Sequence, residues 1–292
     1  MAPPPYAAIQ PPSEEGEKPV TVLVTSFGPF LSKYPKNSSW EIASTLPALI
    51  PATTTNPTPI HIHTYHAPIR VSYNDVLALV PTLLPPNNPM YPPPDIILHL
   101  GLAAGRSYYA IEQSANGRGY SEITDVDGQR FPDSAAETHF PASKYPVKLS
   151  TSFETSDVLA RWKRNLGYTS VDGTRTDEGC PDVRISYDAG NFLCGFIYYN
   201  SLAHFFDIKE YERPVIFMHV PDLSRSEGKL REGWEVAVAL IKALVESRRK
   251  AGGKVVDGPE GKDNVYGGGH AKRDVEKEEG IPAVKTTDNN FT

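Results

Sequence analysis

Three residue types needed for thiol-based acyl transfer lie far apart in this chain: Glu112, Cys194 and His219. A thiolate is a nucleophile, a histidine can take its proton, and a carboxylate can fix the histidine's tautomer. Cys194 sits in SYDAGNFLCG, residues 186–195, where a short strand and a turn give way to an apolar helix. A helix start offers unbonded N–H groups and the positive end of the helix dipole, and both favour a thiolate. The alternative is a small buried hydrophobe, the common fate of a lone cysteine. His219 closes the apolar run VIFMHVP, where a strand meets a proline. In an open α/β sheet that is a rim position, where sites form. A hydrogen-bonded core histidine is its alternative. Glu112 ends YYAIE, a run with no other charge, just past a strand end at Gly101. It is read either as pointing inward or as a solvent-facing loop carboxylate.

Other signals weaken on inspection. His61, His63 and His66 crowd the segment HIHTYH, but His66 has the opposite strand parity and no acidic or thiol cluster follows. That spacing suits a strand better than a metal site, so no metal and no cofactor are expected. GLAAGR lacks both the dinucleotide and the P-loop glycine pattern. Phe27 and Phe30 in TSFGPF follow a strand end and suit either the core or a pocket for a flat, small ligand.

The elements that must position these residues alternate along the chain. Strands are expected over Val20–Phe27, 60–69, Asp95–Leu102 and Pro214–Leu223, and VRISYDAG at 183–190 reads as a short strand leading into a turn, all from short apolar or alternating runs. Helices are expected over 38–50 behind a serine cap, 72–84, 155–166 behind a Ser/Thr cap, Asn191–Phe206 and 227–249. Pro85–Pro94 must be an exposed loop, and 133–145 also reads as a loop. Strands alternating with helices of this length imply an α/β fold: one domain, with a twisted, mostly parallel sheet and helices on both faces. Residues 1–18 and 250–292 are too polar and too rich in Pro, Gly and charge to bury, so both are expected to be disordered tails around a domain at 19–249.

Composition narrows the function. The chain has 292 residues, is 39% apolar and 22% charged, and carries a net charge of −6. An acidic balance argues against nucleic acid or an anionic membrane as partner. No run is long and apolar enough to span a bilayer, and the first residues lack the basic and apolar regions of a secretory leader. Two cysteines make no disulfide framework, so a cytoplasmic, reducing location is expected and the sequon at Asn37 is idle.

Together the segments resemble the pyroglutamyl peptidase I family of cysteine peptidases. VLVTSFGPF followed by Asn37 resembles the family's opening strand and aromatic loop. LHLGLAAGRSYYAIEQSAN resembles its glycine loop and glutamate segment. SYDAGNFLCGFIYYNSL and VIFMHVPDL resemble its cysteine and histidine blocks, with the two residues 25 apart. The likeness spans about residues 20–246. It implies hydrolytic removal of N-terminal pyroglutamate from peptides, with Cys194 as nucleophile, His219 as base and Glu112 as orienter. It further implies that Phe27 and Phe30 flank the lactam ring, that Asn37 supports them, and that Leu102, Arg106, Phe192 and Leu193 line the substrate pocket. The sequence departs from the pattern at Ser26, where glycine is usual, and at Gly195, where a polar residue is usual. An insertion is expected at about 133–182, and RGYSEITDVDGQRF looks like the eukaryotic branch. A relative that binds blocked peptides without cleaving them, and a thiol deamidase or cyclase, are the alternatives.

Overall fold

The computed structural model describes residues 17–30, 35–90, 92–168, 170–171, 174–175 and 179–252. The first half supplies β1 (Val20–Ser26), α1 (Ser38–Ala43), β2 (Leu49–Ile50), β3 (Ile60–Thr64), α2 (Tyr73–Leu83) and β4 (Ile96–Leu102). Next come β5 (Tyr109–Glu112), β6 (Ser114–Asn116), α3 (Asp133–His139), β7 (Lys148–Ser150) and α4 (Thr155–Asn165). The last part holds β8 (Ser170–Val171), β9 (Thr174–Arg175), β10 (Val183–Ser186), α5 (Leu193–Ile208), β11 (Val215–Val220) and α6 (Glu227–Gly252).

Seven strands form one sheet in the order β10-β5-β11-β4-β1-β3-β2. The central block β11, β4, β1 and β3 is parallel, as are β10 and β5 with each other. The β5–β11 and β2–β3 pairs are antiparallel. β4 and β11 are buried at every residue, which is why they read as continuous apolar runs and not as alternating ones. One buried cluster holds α2, α3 and α5 on one face; the other holds α1, α4 and α6 on the opposite face. Trp162 of α4 is fully buried and its indole donates to the Val236 carbonyl of α6 at 2.9 Å. Truncating it to alanine would cost about 3–5 kcal/mol through lost apolar burial and the cavity left behind.

Five expectations change. The helix expected over 38–50 stops at Ala43, and Leu49–Ile50 instead pairs with β3 at the sheet edge. Its cap is Asn37, whose side chain accepts from the Ser39 N–H. The α4 cap is the Glu154 carboxylate, not a Ser or Thr. The stretch 133–145 is no plain loop, since Asp133–His139 forms α3. At the far end α6 runs to Gly252. The tails 1–16 and 253–292 lie outside the described residues.

Candidate active site

The carboxyl ends of β1, β4 and β11 and the start of α5 converge on one cleft. It is lined by Phe27, Phe30, Asn37, Leu102, Arg106, Phe192, Leu193, Cys194 and His219, together with Val71, Ala103, Ala104, Ala189, Gly190 and Asn191. Every residue that the sequence reading placed at the site is there except Glu112, which lies directly behind it and is fully buried.

Glu112 is not a loop residue. It ends β5, which runs antiparallel to β11 with Ala110 opposite His219 and Phe217 opposite Glu112. Side chains two apart on a strand share a face, so Glu112 and His219 stand diagonally on the same face of the sheet. The result is a hydrogen bond of 2.7 Å between Glu112 Oε1 and His219 Nδ1. Arg106 Nη1 donates to the same oxygen at 2.8 Å. Burial pushes the Glu112 carboxyl up, but the His219 and Arg106 contacts outweigh it and hold it below the usual carboxylate range. An ionised Glu112 can only accept, so Nδ1 carries the proton and donates. The other ring nitrogen, Nε2, is left for acid–base work toward the cleft. Tyr198 of α5 fixes the glutamate from behind, its hydroxyl donating to the Glu112 carbonyl at 2.8 Å.

Cys194 is the second residue of α5 and partly exposed. Its thiol lies so close to β4 that a Cβ added to Gly101 would sit 2.9 Å from Sγ. Glycine at 101 therefore lets the helix start approach the strand. Phe192 caps α5 without a side-chain hydrogen bond, so no capping side chain takes the first-turn N–H groups. Cys194 lies in that first turn, and N–H groups of this kind suit a developing oxyanion.

The aromatic wall is held by polar side chains. Asn37 is 2% exposed. Its Nδ2 donates to the Gly28 carbonyl at 2.9 Å, and its Oδ1 accepts from the Ser39 N–H at 3.1 Å and from the Ser39 hydroxyl at 2.8 Å. One amide thus caps α1 and ties down the Phe27–Phe30 turn. Phe30 faces Phe192 across 6.1 Å between ring centres. Sequence reasoning missed Tyr198 and the Ala189–Asn191 turn; nothing but their nearness to Cys194 in the sequence marks them.

No family model matches the chain. It is 26% identical over 234 residues to human pyroglutamyl-peptidase 1, covering 80% of this chain and 94% of that relative. It is 30% identical over 128 residues to the pyrrolidone-carboxylate peptidase of Pyrococcus furiosus, 44% of this chain and 52% of that protein. Among solved structures, a pyrrolidone carboxyl peptidase from Thermococcus litoralis superposes with a TM-score of 0.55 over 80% of this chain and 96% of that one, at 20% identity. These relatives and structural neighbours support the pyroglutamyl peptidase I family for this chain. Two departures from the pyroglutamyl peptidase pattern now have local settings. A Cβ on Gly195 would fall 2.0 Å from the Gly190 carbonyl oxygen, so the turn before α5 occupies the place a side chain would need. Ser26 is buried with its hydroxyl unpartnered, and nothing in the structure explains the choice of serine there.

Proposed function

We propose that the protein is a cysteine omega-peptidase that removes N-terminal pyroglutamate from peptides. The observation that carries this reading is the meeting of Cys194 and His219 in one narrow, largely apolar cleft, with Glu112 bonded to His219 from behind. His219 takes the Cys194 proton through Nε2, and the thiolate attacks the carbonyl that follows the lactam ring. The α5 first-turn N–H groups receive the oxyanion, a contribution of about 3–4 kcal/mol per donor in comparable sites. His219 then protonates the leaving amine, and the thioester is hydrolysed by water that His219 activates.

The cleft explains why a blocked end is chosen. Phe27, Phe30 and Phe192 offer apolar ring faces to a flat, uncharged lactam. A free α-ammonium group would be desolvated there without a carboxylate to meet it, because the one nearby, Glu112, is already taken by His219 and Arg106. Substrate peptides are the partners in this reading, and the site calls on no metal or cofactor. No helix among the described residues is long and apolar enough to cross a membrane. With two free thiols, a cytoplasmic location suits this chemistry.

Hydrolysis of a pyroglutamyl coumarylamide tests the proposal. Cys194→Ala should lower kcat by about 10⁴-fold or more, since removing a nucleophile leaves only binding and oxyanion contributions. Cys180→Ala should stay within about twofold; that thiol lies against the Leu166 carbonyl, outside the residues lining the cleft. Turnover that survives Cys194→Ala would overturn the assignment. So would lactam-peptide binding by calorimetry with no hydrolysis in the unsubstituted protein.

A further inference from the structure

A second cleft lies at the opposite end of the sheet, where the chain enters β3. It encloses about 810 Å³ between the loop at 51–59 and the last turns of α4 and α6. Five cations line it: Arg161, Arg164, Lys242, Arg249 and Lys250, with Glu246 as the carboxylate among them. Asp157 pairs with Arg161 and Lys250, and Glu17 pairs with Arg249. Five cations thus meet three carboxylates, in a chain whose net charge is −6. The excess is concentrated in two groups. Arg164 reaches Glu246 only at 3.6 Å, and that carboxylate already accepts from Arg161 and Asn165. Lys242 has no ion pair among the described residues.

Helix ends explain part of this. Basic residues in the last turns of α4 and α6 offset the helix dipole, which accounts for Arg164, Arg249 and Lys250. Lys242 stands in mid-helix, and this argument does not reach it. Nor does it reach Asn56. That residue is 6% exposed and lines the cleft, yet neither its amide nitrogen nor its amide oxygen has a hydrogen-bond partner. The turn around it is closed without the side chain: the Thr53 N–H donates to the Asn56 carbonyl, and the Asn56 N–H donates to Thr53 Oγ1. A buried amide left over from its own turn calls for a polar partner.

We propose that this cleft binds a small phosphorylated polyol carrying two phosphate groups. Arg164 and Lys242 would take the phosphates, the guanidinium through paired N–H donors and the ammonium as a point charge. Asn56 would exchange hydrogen bonds with a hydroxyl, which both donates and accepts. The volume lies within the range of small-molecule sites.

Calorimetry on the full chain tests this with three probes: fructose 1,6-bisphosphate, inorganic pyrophosphate and citrate. The sugar bisphosphate should bind saturably at one site, and Arg164→Glu and Lys242→Glu should each weaken it about tenfold or more. Asn56→Ala should weaken the sugar bisphosphate several-fold and leave pyrophosphate within about twofold. It should not lower the melting temperature of the free protein, as loss of a structural amide would. Lys242→Glu should leave coumarylamide turnover unchanged, because the two clefts stand at opposite ends of the strands. No saturable binding of any probe, or affinity indifferent to both charge reversals, overturns the site. Citrate binding more tightly than both phosphates overturns the phosphate assignment.

Discussion

The two clefts of this molecule differ in nearly every respect. The one at the carboxyl ends of the strands encloses about 40 Å³, is walled by phenylalanine rings, and keeps its carboxylate, Glu112, behind the wall. The one at the amino ends encloses about 810 Å³ and is rimmed by arginine and lysine. The difference teaches how each selects. In the narrow cleft the cost of desolvating a charge does the sorting, so a neutral lactam fits. In the wide cleft solvent remains, Coulomb attraction is screened, and affinity must come from several cations acting together. Substitutions that break one should leave the other standing.

The largest effect should come from the pair behind the narrow cleft. His219→Ala should lower kcat for pyroglutamyl coumarylamide by about 10³–10⁴-fold with the fold intact by circular dichroism, since both base and acid are lost. Glu112→Gln keeps the size of the side chain and lets the imidazole take the wrong tautomer; a loss of about 10²–10⁴-fold is expected. Activity within tenfold of the unsubstituted protein in either variant would show that the 2.7 Å contact is structural.

Gly195→Ala sharpens the same comparison. Its added Cβ would meet the Gly190 carbonyl at 2.0 Å, and backbone cannot swing aside as a flexible side chain can. Gly190 itself has φ of +85° and is held by Asp188 Oδ1, which accepts its N–H at 3.0 Å. Overpacking of this kind costs about 1–3 kcal/mol and would shift the Ala189–Asn191 turn that lines the cleft. Turnover should fall by about tenfold, with a lower melting temperature. Unchanged values for both would mean that the turn yields freely.

Acid should act on the narrow end first. His99 of β4 is fully buried beneath it, with Thr25 Oγ1 2.7 Å from Nδ1 and Ser201 Oγ 3.0 Å from Nε2. Burial pushes this imidazole down to about 3. The unfolded chain takes up the proton as pH falls below about 6.5, and the folded chain resists it down to about 3. The stability is therefore complete above the first value and lost across that window, at up to about 1.4 kcal/mol per pH unit. Denaturant titrations at pH 7 and pH 5 should show the loss, and His99→Gln should flatten it. The wide cleft should respond to salt instead, because its cations are largely exposed.

How much of this could be read from the chain depends on how each feature announces itself. The central strands did so as continuous apolar runs, because both faces of the sheet are covered. Cys194 and His219 were legible only jointly, through the order of Glu112, Cys194 and His219 and the likeness of their segments to a known family, since each alone also reads as a core residue. β5 was not: four residues that end in a glutamate look like a loop, and only pairing with β10 on one side and β11 on the other makes them a strand. α3 hid behind a proline N-cap with no side-chain hydrogen bond and a sequence, DSAAETH, with one buried residue. The wide cleft left no local trace at all, since Asn56, Arg164 and Lys242 come from three separate elements. Gly195 was legible as a departure, but its reason, the carbonyl of Gly190, is a contact between a turn and a helix.

Arg106 gives the smallest effect and the finest test. The family resemblance puts it in the substrate pocket, and it does line the cleft. Its guanidinium, though, donates to Glu112 Oε1, the oxygen that also holds His219. A residue that binds substrate acts mainly on KM; one that steadies the orienting carboxylate acts mainly on kcat. Removing the positive charge also removes part of what holds Glu112 below its usual range, so the Glu112 carboxyl should rise. Protonation of Glu112 would then set in at higher pH and move the acid limb of the kcat profile upward. Arg106→Gln should lower kcat by about three- to tenfold with KM within about twofold, and should shift that limb up by less than one unit. Arg106→Lys should restore part of the rate, because an ammonium keeps the charge but loses the planar donor geometry. A raised KM with kcat and the acid limb unmoved would return Arg106 to the substrate and leave Glu112 to His219 alone.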